Sequence, residues 1–96
     1  VKGHRFHRTD AVQTEIVTGL RGFGCSVIVA NAEVDLIVGY AGLTFLFECK
    51  TRGGKLSGSQ RLMIKRWKGH YAVVHDLEEA IRSILLTCAQ WKVCLP

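Results

Sequence analysis

The chain has 96 residues, 48% of them hydrophobic and 22% charged, a length that suits one domain with one core and a composition that excludes wholesale disorder. No apolar run approaches the ~18–20 residues of a membrane span, and the basic opening VKGHRFHRTD lacks the apolar centre of a secretory signal, so a cytoplasmic setting is expected. The net charge of +5 and pI of about 9.3 favour an anionic partner, nucleic acid foremost.

Residues 1–8 read as a basic arm, and the pair His4 and His7 belongs to that arm more readily than to a metal site. Thr9 or Asp10 can cap a helix running to about Gly22, where Val12, Ile16, Val17 and Leu20 recur at helical spacing and Gly22 and Gly24 end it. CSVIVA, Cys25–Ala30, is a short β-branched run and predicts a strand. Two more strands follow, Val34–Tyr40 and Leu43–Lys50, joined at Ala41-Gly42. TRGGKLSGSQ is a glycine-rich loop, after which Ser57 or Ser59 can cap a helix over about Gln60–Lys68 with Leu62, Met63, Ile64 and Trp67 as its apolar side. YAVVH, Tyr71–His75, predicts a fourth strand. Asp76 with Glu79 three residues on resembles a capping box that opens a last helix, Leu77 to about Leu86. The pattern of the tail, 87–96, assigns no element.

The order α-β-β-β-α-β-α predicts a layered α/β domain, a small mixed sheet flanked by helices, spanning 1–96 as one unit. Cys25, Cys49, Cys88 and Cys94 form no CxxC pair and no zinc-like spacing. Free thiols are expected, with Cys25 and Cys49 packed in the core.

The second and third strands pose a problem in chemistry. A two-residue turn at Ala41-Gly42 pairs Tyr40 with Leu43, Val38 with Phe45, Leu36 with Phe47 and Asp35 with Glu48. Opposed residues share a face, with Cβ atoms ~4.5–5.5 Å apart, and Lys50 lies two residues beyond Glu48 on the same face. Both faces of the hairpin are otherwise apolar, so both are expected to be covered. Two carboxylates at that distance repel unless a cation lies between them. A hard divalent ion such as Mg²⁺ suits them, because it takes one or two carboxylates plus waters and phosphate oxygens. It acidifies a bound water and neutralises charge on a phosphoryl group, while Lys50 can orient that water or stabilise the transition state. A strand end with a solvated Lys–Glu pair would show the same Glu-x-Lys. The aspartate facing it across an apolar hairpin favours the phosphodiesterase reading.

An aspartate (Val34-Asp35), a spacer, then Glu48-Cys49-Lys50 on the next strand, within α-β-β-β-α-β, resembles the PD-(D/E)XK nuclease superfamily. The similarity is greatest to the stand-alone VRR-NUC domains of phages, relatives of the Holliday-junction resolvases. QTEIVTGLRGFGCSV is similar to that group's first helix and strand, DLIVGYAG with TFLFECK to its hairpin, and LSGSQ with W-x-G-x-YAVVH to its next helix and strand. About residues 9 to 82 are covered. The resemblance implies a restriction-endonuclease-like αβββαβ(α) core and an Mg²⁺- or Mn²⁺-dependent endonuclease acting on structured or branched DNA. Asp35 and Glu48 would be metal ligands, joined by the backbone carbonyl of Cys49 and by Glu15 of the first helix. Lys50 would be the catalytic lysine, and Gln60 would position water or phosphate. The family often has a glycine-rich segment or a proline before the aspartate, where this chain has Asn31-Ala32-Glu33-Val34. The resemblance also implies a homodimer, in a bacterial or phage-infected cell.

Arg52, Lys55, Arg61 and Lys65 are the candidate phosphate contacts, with Lys2, Arg5, Arg8, Arg66 and Lys68 adding charge. The apolar C-terminal segment with Leu85, Leu86, Trp91 and Val93 is a candidate dimer interface. Two other readings stand beside the enzyme: a non-catalytic DNA-binding module that keeps the nuclease fold, and a small interaction protein with an incidental basic surface.

Overall fold

The computed structural model describes residues 8–31 and 33–91 of the chain. His4, His7, Lys2, Arg5, Val93 and Cys94 lie outside the described residues, as do the side chains of residues 8–10. The elements run α1 (Arg8–Phe23), β1 (Ser26–Val29), β2 (Leu36–Tyr40), β3 (Leu43–Cys49), α2 (Gly58–Arg66), β4 (His70–Val74) and α3 (Leu77–Gln90). The four strands form one mixed sheet in the order β1-β2-β3-β4, antiparallel except for the parallel pair β3 and β4.

The hairpin register is the expected one: Leu36 faces Phe47, Val38 faces Phe45 and Tyr40 faces Leu43. Its turn has positive φ at both central residues, 53° at Ala41 and 82° at Gly42. That is the type I′ conformation, whose twist matches the twist of the strands it joins.

One face of the sheet carries the core. Leu36, Val38, Phe45, Phe47, Cys49 and Val74 pack there against Ile16, Val17 and Leu20 of α1 and Ala80, Ile84 and Cys88 of α3. α1 and α3 approach closely at Gly19, where an added Cβ would stand 2.9 Å from Leu77 Cγ and closer still to its methyls. Burial of these branched and aromatic side chains, at about 1.5–3 kcal/mol each, dominates the stability. Cys25, Cys49 and Cys88 are buried free thiols. The Cys49 thiol is pushed up to about 12 by burial and by the nearby Asp35 and Glu48.

The opposite face is covered differently. α2 lies on that side and buries none of its residues. Leu62, Ile64 and Trp67, expected as its apolar side, are all exposed, Trp67 by 45%. Leu62, Met63 and Ile64 are consecutive, so they spread around the helix rather than line one stripe. At the chain's other end, α3 runs four residues beyond the expected Leu86, because Cys88 continues the buried stripe of Ala80 and Ile84. Leu86 and Trp91 are exposed. Among the described residues no helix is long and apolar enough to cross a membrane.

Candidate active site

The hairpin ladder ends at Leu36 and Phe47, and the charged residues lie just past that end. Asp35 is the last residue before β2. Its backbone carbonyl accepts from the Ala30 N–H at 2.8 Å, which anchors it to the end of β1. Its side-chain Oδ2 accepts from the Cys49 N–H at 2.8 Å. The aspartate is thereby pinned against the end of β3, beside Glu48.

Among the described residues Glu48 is the one charged side chain in the interior, a carboxyl only 4% exposed. Alternation along β3 sends Phe47 and Cys49 into the core and Glu48 to the α2 face. Burial and then the adjacent Asp35 carboxylate raise its pKa to about 7, with Lys50 acting in the opposite direction. Asp35, Glu48 and Lys50 therefore meet at one end of the hairpin. Lys50 is fixed at its backbone by donation from its N–H to the Val74 carbonyl at 3.0 Å.

Gln60 joins them from α2. Its Nε2 donates to Glu48 Oε2 at 2.6 Å, while its Oε1 accepts from the Ser57 N–H at 2.8 Å. In return the Gln60 N–H donates to the Ser57 hydroxyl at 3.1 Å. The capping box of α2 and the buried carboxyl thus share one side chain. The box needs the amide oxygen at Ser57, which leaves the amide nitrogen for Glu48.

The Cys49 carbonyl follows from peptide geometry. The Lys50 N–H points to β4, and in a trans peptide the Cys49 C=O points the opposite way, toward Asp35. Two carboxylates with one carbonyl on the same side are a hard oxygen donor set, and they fit a Mg²⁺ or Mn²⁺ ion that keeps waters in its remaining positions. Glu15 does not join them. It lies on the exposed side of α1, in a groove with Asp76, Leu77, Glu78 and Ile81, and α1 packs on the other face of the sheet. Among the described residues no three His, Cys, Asp or Glu side chains gather at one point. Comparison with protein-family models, curated protein sequences and solved structures finds no match to this chain.

The candidate phosphate contacts divide in two. Arg52 is paired within the chain, to Asp76 and to Glu79 at 3.0 Å. Asp76 caps α3 by accepting from the Glu79 N–H at 2.8 Å, as the sequence pattern suggests. Glu79 does not return to Asp76, however; its Oε1 takes the His75 N–H at 2.9 Å and faces the His75 ring at 2.8 Å. These His75 contacts, with Arg52 behind them, lower the Glu79 carboxyl to about 2. Lys55, Arg61 and Lys65 are exposed, and Arg61 and Lys65, four apart, share one side of α2. An open cleft of about 740 Å³, lined by Val12, Thr51, Arg52, Gly54 and His75, lies beside the loop after β3. Neither carboxylate lines it.

One residue at the site escaped the sequence pattern. Tyr71 pairs with Leu46 in the parallel ladder and so stands on the same face as Glu48. Alternation within YAVVH gives no signal for this, because the face is set only by pairing with a strand 25 positions earlier.

Proposed function

We propose that the chain is a divalent-metal-dependent deoxyribonuclease of the PD-(D/E)XK type, acting on structured or branched DNA in a cytoplasmic setting. The observation that supports this reading is the meeting of Asp35, the buried Glu48 and Lys50 at one end of the hairpin, with Gln60 bonded to Glu48. A solvated strand end does not bury a glutamate at 4% exposure beside a second carboxylate.

Asp35 and Glu48 would hold the ion with the Cys49 carbonyl. When bound, the ion supplies an acidified water and neutralises charge on the phosphoryl group. Lys50 orients the attacking water and stabilises charge on the phosphate as it develops. Gln60 keeps Glu48 in the rotamer that faces Asp35. Lys55, Arg61 and Lys65 hold the DNA backbone, and two copies meeting through the exposed Leu86 and Trp91 would bring two sites to one branched substrate.

The test is nicking of a four-way junction, a flap, a linear duplex and single-stranded DNA with Mg²⁺, Mn²⁺ or EDTA. Wild type is expected to cut in either metal and not in EDTA. Lys50→Ala is expected to lose at least a hundredfold in rate while folding normally, in line with loss of a preorganised charge at the reacting phosphate (about 10²–10³). Binding without cleavage under every metal would leave a DNA-binding module. No salt-dependent binding at all would leave an interaction protein.

A further inference from the structure

The Tyr71 hydroxyl oxygen is fully buried and has no hydrogen-bond partner among the described residues. A phenylalanine would fill the same space without stranding a polar group, which costs about 1–3 kcal/mol when left unpaired. The neighbours of the ring show where the hydroxyl belongs. Tyr71 is one diagonal step from Glu48 across β3 and β4, ~8 Å between Cα atoms from the strand spacing and rise, within reach of a tyrosine side chain. Burial and then the charges of Glu48, Asp35 and Glu33 raise its pKa, so the phenol stays protonated among the acidic groups.

The donors and acceptors at the site leave it a role. Glu48 Oε2 is taken by Gln60, and Asp35 Oδ2 by the Cys49 N–H. A protonated phenol among carboxylates is a hydrogen-bond donor, and an oxygen-bearing ligand held by those carboxylates is the partner its chemistry suits.

We propose that Tyr71 is a positioning residue of the Asp35–Glu48 site, its hydroxyl donating to an oxygen ligand, water or phosphate, held there with a divalent ion. This rests on the metal-site reading given above. Partners that orient a metal site's ligands are worth about 10–100-fold in affinity.

The experiment compares wild type, Tyr71→Phe and Asp35→Asn in two measurements: Mn²⁺ affinity, from the resonance signal of the free ion, and thermal midpoint in EDTA. Wild type is expected to bind Mn²⁺ and Asp35→Asn to lose it. Tyr71→Phe is expected to bind about tenfold more weakly, with a midpoint in EDTA equal to or above that of wild type. A structural hydroxyl would do the reverse, lowering the midpoint and leaving the affinity untouched. If Asp35→Asn loses the ion and Tyr71→Phe matches wild type, the Tyr71 assignment alone fails. If wild type binds no Mn²⁺, the metal site itself fails and takes the Tyr71 role with it.

Discussion

Glu48 couples the candidate chemistry to stability at the level of one residue. Its carboxyl titrates near 7 in the folded chain against an ordinary value of 4.5. The folded state therefore binds this proton more tightly than the unfolded state does. Its contribution is fully present below pH 4.5 and is lost as pH rises through 7. Urea unfolding in EDTA at pH 5 and pH 8 is expected to show wild type losing about 2–3 kcal/mol over that interval. Glu48→Gln, which cannot ionise, is expected to lose most of that slope and to be the more stable chain at pH 8. The Glu79 carboxyl works in the other direction: held at about 2 by His75 and Arg52, it contributes above pH 4.5 and is lost as pH falls toward 2.

Among the elements, the hairpin was the most legible in the sequence. Alternating Leu36, Val38, Phe45 and Phe47 with only two residues between the strands leave one register that puts the large side chains on one face. The Asp35–Glu48 juxtaposition follows directly from that register. What was not legible depends on partners far along the chain. Arg52 meets Asp76 and Glu79, 24 and 27 positions away, and nothing in the loop TRGGK announces either. Helix α2 lies two residues earlier than the expected Gln60–Lys68, at Gly58–Arg66, because Ser57 rather than Ser59 caps it; its exposure was not legible, because the sheet face near it carries Glu48 and Tyr71 beside its apolar residues. The turn offers a clean test. Ala41 takes a left-handed φ of 53°, a conformation that costs a residue with a Cβ about 1 kcal/mol. Ala41→Asn, giving the preferred Asn-Gly pair, is expected to stabilise the chain by roughly 0.5–1 kcal/mol in urea unfolding without altering metal affinity. The capping box offers another. Ser57→Ala is expected to cost about 1 kcal/mol, and Gln60→Ala more, because Glu48 loses its donor. The double variant is expected to fall short of the sum by at least about 0.5 kcal/mol in the same measurement, since both changes break one unit.

Over the whole molecule, the charge of +5 is unevenly used. Arg52 is paired within the chain, while Lys55, Arg61 and Lys65 remain exposed. If the chain holds DNA through them as proposed, binding is expected to weaken with salt, and Lys65→Ala to lower the slope of log affinity against log salt by about 1. Arg52→Ala is expected to leave that slope nearly unchanged in the same titration and to loosen the start of α3 instead.

Helix α2 buries no residue of its own, and Gln60 ties it to the sheet at Glu48. With no buried residue of its own, α2 is expected to open and exchange its amides faster than β3, whose alternate side chains form the core. Each such opening takes the amide of Gln60 away from Glu48 and lets water in. A carboxyl held near neutral by burial then becomes an ordinary acid and releases its proton. Opening of this one short helix is therefore expected to favour the charged form of Glu48, because burial is the first cause of its raised pKa.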